Sequence, residues 1–148
     1  MVSVGYANNE IGTIQPALEI SELCREKKIA FHSDAVAAQG LLSLDVGRDR
    51  IDLLTLSSND IYGPKGLGVL YVRKGIRLNP LIIGGGQEKG LRSGSENIPG
   101  MVGMKKAVEI MEKEMEEEVE RLGKYRDRLI RTIPKIISRC HLNGHPTQ

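Results

Sequence analysis

The sequence predicts an α/β chain: a mixed, mostly parallel sheet joined to one long helix. Three observations carry this. Residues 2–35 alternate strand, helix and strand patterns; two apolar runs, Ile51–Leu56 and Leu67–Val72, flank a Gly63-Pro64-Lys65-Gly66 turn; and apolar residues recur at steps of three and four from Met101 to Ile133.

Val2-Ser3-Val4-Gly5-Tyr6 reads as a strand that begins almost at Met1, followed by the turn-rich Ala7-Asn8-Asn9-Glu10-Ile11-Gly12. Pro16 suits the first position of a helix, where its missing N–H has no intrahelical partner in any case. Ala17, Ile20, Leu23 and Cys24 form its apolar face, and Arg25, Lys27 and Lys28 sit where the macrodipole favours cations. Ile29–Ala35 is the next strand, so this unit packs as a parallel crossover. Ile51–Leu56 is apolar at nearly every position, as in a strand covered on both faces. The Gly-Pro-Lys-Gly turn is too short for a crossover, which makes Leu67–Val72 antiparallel to it.

Residues 84–97 hold five glycines in their first eleven positions and no apolar periodicity, so they form a long loop of the kind that is usually functional or disordered. From Pro99 a helical pattern runs for more than thirty residues, with Glu117–Arg121 and Glu120–Lys124 as pairs four apart. Its methionine-rich stripe reads as core packing. A helix of this length suits a bridge between two domains. His141-Leu142-Asn143-Gly144 looks like the opening of a further strand, and both ends of the chain look cut. The expected division is 1–97 for the sheet domain, 98–137 for the connecting helix, and 138–148 for the start of a small second domain.

Of the 148 residues, 40% are hydrophobic and 27% charged, enough for a core. The net charge of +2 with interspersed signs does not point to nucleic acid. No run of 18 apolar residues suggests a membrane span, and the N-terminus lacks a secretory pattern, so the cytoplasm is the expected compartment. Cys24 and Cys140 are isolated, without zinc-type spacing or a disulfide framework, and no metal site is expected.

Four motifs are informative: Asn8-Asn9-Glu10-Ile11-Gly12-Thr13-Ile14-Gln15; His32-Ser33-Asp34-Ala35; Ser57-Ser58-Asn59-Asp60 with Tyr62-Gly63-Pro64-Lys65-Gly66; and Arg92-Ser93-Gly94-Ser95. Read alone, Asn9 is a turn residue and Asp34 the polar end of a strand. Together, and with Asp34 26 residues before Asp60, they resemble the cysteine desulfurases (NifS/IscS-like), fold-type I enzymes of the class V aminotransferase superfamily. The resemblance covers nearly the whole chain but only the middle of the family's length.

That resemblance implies a fold-type I large domain and the cofactor pyridoxal 5'-phosphate. It implies that Asn9 lies by the cofactor's phenolic oxygen, that Asp34 pairs with its ring nitrogen, that Ser57 and Asn59 meet its phosphate, and that Ser95 reaches the phosphate site of a partner subunit. A carboxylate at the ring nitrogen keeps it protonated and the ring an electron sink. The family's Schiff-base lysine position is Asp60, which cannot form that link, so Asp60 is the candidate catalytic residue and the cofactor, if bound, is held non-covalently. The family's glutamine is Ala37, with Gln39 two residues on. The catalytic cysteine falls beyond Gln148 by the same comparison.

The implied reaction takes sulfur from L-cysteine, leaving alanine and an enzyme persulfide for iron–sulfur cluster assembly, in a homodimer that meets a scaffold protein. Two alternatives stand beside it: a non-catalytic paralogue used in dimerisation or scaffold docking, and a class V aminotransferase. No nucleic acid or membrane partner is expected.

Overall fold

A computed structural model describes residues 1–144. Its centre is a four-stranded sheet of β1 (Val2–Gly5), β2 (Phe31–Asp34), β3 (Leu53–Ser57) and β4 (Gly68–Val72), in that spatial order. β1, β2 and β3 are parallel, and β4 returns antiparallel, with Thr55 opposite Leu70. The mixed sheet is therefore as expected. The strands are shorter than the apolar runs, because pairing sets their bounds: Ile29 and Ala30 precede the β1–β2 ladder, and Ile51 and Asp52 the β2–β3 ladder.

Helix α1 (Ala17–Glu26) crosses from β1 to β2. Pro16 is its N-cap, one residue outside the helix, and not its first residue. The apolar face also differs from expectation. Ala17, Ser21 and Cys24 are buried, four and three residues apart, whereas Leu23 lies off that stripe and is 61% exposed. Ser21 is tolerated inside because its hydroxyl donates to the Leu18 carbonyl at 2.7 Å. The core gathers Phe31, Ala35, Ala38, Ile51 and Leu54 with these helix residues.

Two polar clasps close the core's rim. Tyr6 donates its hydroxyl to Asp49 at 2.9 Å, and Arg48 grips the same carboxylate with two nitrogens. Hydrogen bonding by Arg48 holds the Asp49 carboxyl below its ordinary value, while burial pushes the Tyr6 hydroxyl up. Asp52, also buried, accepts from the Phe31 N–H at 3.0 Å and faces Arg73 at 2.6 Å in an ion pair poorly directed for a hydrogen bond. One carboxylate thus ties the start of β2 to the end of β4.

Residues 84–97 form the expected loop, broken only by a 3-10 turn at Glu88–Gly90. The loop is fastened to its own chain: the Gly86 N–H donates to Ser93 Oγ, the Gly94 N–H to Gln87 Oε1, and Ser93 is buried. Asn97 then caps the long helix α2 (Ile98–Ile136), its side chain accepting from the Gly100 N–H at 3.1 Å. At 39 residues α2 is about 58 Å long. Only Gly100 and Met104 of α2 are buried, so the methionine stripe is not core packing along its length. Arg121 pairs with Glu118, not Glu117, and Lys124 pairs with Glu120 as expected. His141–Gly144 form no strand, since they have no ladder partner among the described residues. Residues 145–148, the rest of the expected small-domain start, lie outside the described residues.

Candidate functional site

The parallel strands end side by side, so the turns that follow them share one edge of the sheet. The turn after β1 is shaped by Asn8, whose side chain accepts from the N–H groups of Glu10 and Ile11. Asn9, the next residue, is exposed. At the end of β2, Asp34 accepts from the Val36 N–H at 3.0 Å and keeps its other oxygen free of any hydrogen bond to the described residues. After β3 the chain makes one 3-10 turn, Asn59–Ile61, which ends at Tyr62 in a left-handed conformation with φ 61°.

This turn is fixed from both sides. Behind it, Gln39 donates to the Ser57 carbonyl at 2.6 Å and accepts from the Ser57 N–H at 3.1 Å. In front, α2 lies on the Gly63-Pro64 corner. A Cβ on Gly63 would stand 2.9 Å from the Ser58 carbonyl and 3.3 Å from Ala107 Cβ, and one on Gly103 would overlap the Pro64 ring. Both glycines are required by close approach, which seats the helix against the turn that carries Asp60.

Between the strand ends and α2 opens a cleft of about 940 Å³. Asn9, Asp34 and Asp60 all line it, as do Ala37 and Gln39. Three of the expected site residues therefore converge. Ser57, Asn59 and Ser95 do not line the cleft: Ser57 has its backbone held by Gln39, Asn59 is exposed on the outer side of the turn, and Ser95 is exposed on the 84–97 loop.

The far wall of the cleft was not legible as a site. Met111, Glu114, Met115, Glu118 and Leu122 form it, with Tyr62, 98% exposed, at one end. A helical apolar stripe looks the same in sequence whether it faces a core or a cleft; its excess length over one domain was the available signal. Ser58, fully buried with a hydroxyl that has no partner among the described residues, was also passed over.

Four carboxylates, Asp34, Asp60, Glu114 and Glu118, line the cleft; Glu118 is paired with Arg121, and no Lys or Arg is itself a lining residue. This composition tests the fit of pyridoxal phosphate. Asp34 suits a protonated ring nitrogen, and Asn9 can donate to a ring oxygen. The covalent link does not fit, because Asp60 offers no amine. Gln39 lines the cleft two residues after Ala37, with its carbonyl and one amide hydrogen engaged by Ser57. A dianionic phosphate finds no cation on these walls. The residues present thus fit the ring end of the cofactor and neither its covalent attachment nor its phosphate. Among the described residues, no group of His, Cys, Asp and Glu is placed to hold a metal ion, and no helix is long and apolar enough to cross a membrane.

Residues 1–147 match the family model described as Aminotransferase class-V. Cysteine desulfurase IscS 1 of Archaeoglobus fulgidus is 58% identical over 146 residues, 99% of this chain and 38% of that protein. Cysteine desulfurase IscS of Methanosarcina thermophila is 53% identical over 148 residues, covering all of this chain and 36% of its own. Among solved structures, a NifS-like protein superposes with a TM-score of 0.91 at 37% identity, over 98% of this chain and 40% of that one. A structure of SspA in complex with cysteine gives 0.69 at 47% identity, over 72% and 31%. The chain spans well under half the length of the curated relatives it matches.

Proposed function

Because the chain belongs to the class V aminotransferase family, a pyridoxal-phosphate-dependent family whose desulfurase members it resembles, we propose that it is the ring-binding segment of a cysteine desulfurase-type protein. The observation that carries this is the convergence of Asn9, Asp34 and Asp60 on one cleft at the ends of parallel strands. The division at 97 and 137 into sheet domain, connecting helix and small domain is part of the same reading. L-Cysteine is the substrate this reading assigns to the whole protein; the cysteine complex of a structural neighbour supports it.

When bound, the cofactor supplies an electron sink for charge developing at the amino acid Cα. In this chain Asp34 would hold a proton at the ring nitrogen, and Asn9 would orient the ring through its amide. Ser57, Asn59 and, from a second subunit, Ser95 would complete the phosphate end only with segments this chain does not contain. Asp60 faces the cleft where the family's lysine stands, as the one acid–base group of that turn. Loss of a placed general acid–base group costs typically 10²–10⁴-fold in rate, so the whole protein is slow. A persulfide product, a homodimer, delivery to an iron–sulfur scaffold and a cytoplasmic setting follow from the same reading.

The test is made on the full-length protein that contains this segment. Wild-type protein incubated with pyridoxal phosphate and reduced with borohydride should retain no cofactor, and Asp60→Lys should retain it and show its visible band. Cofactor fixed to wild-type protein would overturn the reading. A second reading, a non-catalytic paralogue, is favoured by one observation: the cleft is lined by four carboxylates, of which only Glu118 has a basic partner, Arg121. An Asp60→Lys protein that binds the cofactor and still releases no sulfide from cysteine would support it.

A further inference from the structure

A carboxylate in place of an amine removes a covalent link and also reverses the charge that a ligand meets there. Asp60 is the middle residue of the 3-10 turn Asn59–Ile61. That turn is held in place, since Gln39 grips the backbone of Ser57 on one side and the Gly63-Pro64 corner lies against α2 on the other. Asp60 therefore keeps its place on the cleft wall, and none of the ion pairs among the described residues includes it. Asp34, on the same cleft, is likewise outside every such pair and keeps one oxygen free of any hydrogen bond to the described residues.

The cofactor of this family occurs in two forms that differ at the carbon the family's lysine attaches. In the aldehyde form that carbon carries an oxygen, which only accepts hydrogen bonds. In the amine form it carries an ammonium, which only donates them. An ionised carboxylate is an acceptor and not a donor, so it meets the aldehyde oxygen as one acceptor against another. It meets the ammonium as an ion pair with charge-assisted hydrogen bonds. Asp34 does not discriminate between the two forms, because the ring nitrogen is common to both. The choice falls to Asp60.

We propose that Asp60 makes this cleft selective for the amine form of the cofactor, pyridoxamine 5'-phosphate, over the aldehyde form. The assignment rests on the reading above that the cleft seats the ring end of the cofactor, and adds to it which form is bound. Two carboxylates then meet two positive groups, Asp34 the protonated ring nitrogen and Asp60 the ammonium. One cleft reaches both groups because the turns after β2 and β3 share an edge of the sheet. Protein loaded with the amine form has no carbonyl to offer the amino group of L-cysteine, so the charge that holds this ligand also keeps the protein from the reaction of its desulfurase relatives.

The test is calorimetric titration of the full-length protein that contains this segment, freed of cofactor, with pyridoxamine 5'-phosphate, pyridoxal 5'-phosphate and 4'-deoxypyridoxine 5'-phosphate, the last of which has neither the ammonium nor a carbonyl. Wild type should bind the amine form roughly tenfold or more tighter than either of the others, the worth of one charge-assisted hydrogen bond. Asp60→Asn keeps the size and loses the charge, and should bring the three ligands within about threefold of one another. Asp60→Lys should reverse the order in favour of the aldehyde. Circular dichroism confirms that each variant is folded. Equal binding of the amine and deoxy ligands by wild type, tighter binding of the aldehyde, or a preference that survives Asp60→Asn would each overturn the proposal. Binding of none of the three ligands by wild type would overturn the reading of the cleft as a cofactor site, and this proposal with it.

Discussion

Two glycines on the same helix separate the seating of α2 from its intrinsic stability. Gly103 and Gly123 both lie inside α2, so replacing either with Ala gains the same helical propensity, about 0.8–1 kcal/mol. Their surroundings differ. A Cβ on Gly123 meets no atom within 4 Å, whereas one on Gly103 overlaps the Pro64 ring and stands 3.0 Å from its Cδ. A proline ring has little freedom to yield, so Gly103→Ala incurs an overpacking cost of about 1–3 kcal/mol that Gly123→Ala does not. The two variants are therefore expected to diverge by that amount: Gly123→Ala stabilises by up to about 1 kcal/mol, and Gly103→Ala ranges from neutral to about 2 kcal/mol destabilised. For a chain of this size 1 kcal/mol corresponds to roughly 2–4 °C in Tm. Urea and thermal denaturation followed at 222 nm read the difference. Equal stabilisation by both variants would show that α2 does not rest on the Gly63-Pro64 corner.

Gln39→Leu leaves both backbone groups of Ser57 without their partners and should destabilise by about 2 kcal/mol or more, measured by the urea midpoint; an unchanged midpoint would show that the clamp contributes nothing. The Tyr6–Asp49–Arg48 clasp sets a pH window. Asp49 is held below its ordinary 3.8, so its contribution is present above that value and is lost as pH falls through the lowered one; Tyr6 is raised above 10.0, so its contribution is present below 10.0 and is lost as pH rises through the raised one. Tyr6→Phe should remove the alkaline limb and cost about 1 kcal/mol at neutral pH, seen in urea midpoints across the range. Pyridoxal phosphate titrated into the 148-residue chain should bind weakly or not at all, because the cleft holds four carboxylates and no cation; micromolar binding by absorbance or fluorescence would contradict this.

The sheet was legible because strand signals are local. Apolar runs such as Ile51–Leu56 and the Gly63–Gly66 turn fix strand type and direction, and only the ends shifted, since pairing and not hydrophobicity sets them. That Asn9, Asp34 and Asp60 share one cleft was legible because Asp34 ends a strand, the other two follow one, and parallel strands end on one edge. Ser57 and Asn59 do not line the cleft although they flank Asp60 in the same motif: neighbours on a strand and a tight turn point in different directions, and a one-dimensional motif does not record which. Gln39 was invisible as a clamp because its partner is 18 residues away. Glu118 and Glu117 are both within reach of Arg121 on a helix surface, three and four residues off, and sequence alone does not choose between them.

Both outer strands of the sheet, β1 and β4, keep one side unpaired among the described residues. Along β4, Val69 and Leu70 are 42% and 49% exposed, and the strand holds neither a proline nor a charge. Such an edge is a template for another chain's backbone, and backbone pairing ignores side-chain charge. Produced alone, this segment thus has an open-ended route to self-association that does not answer to salt. Placing a lysine at Val69 should suppress it, so that the yield of soluble chain depends on a residue that does not line the cleft.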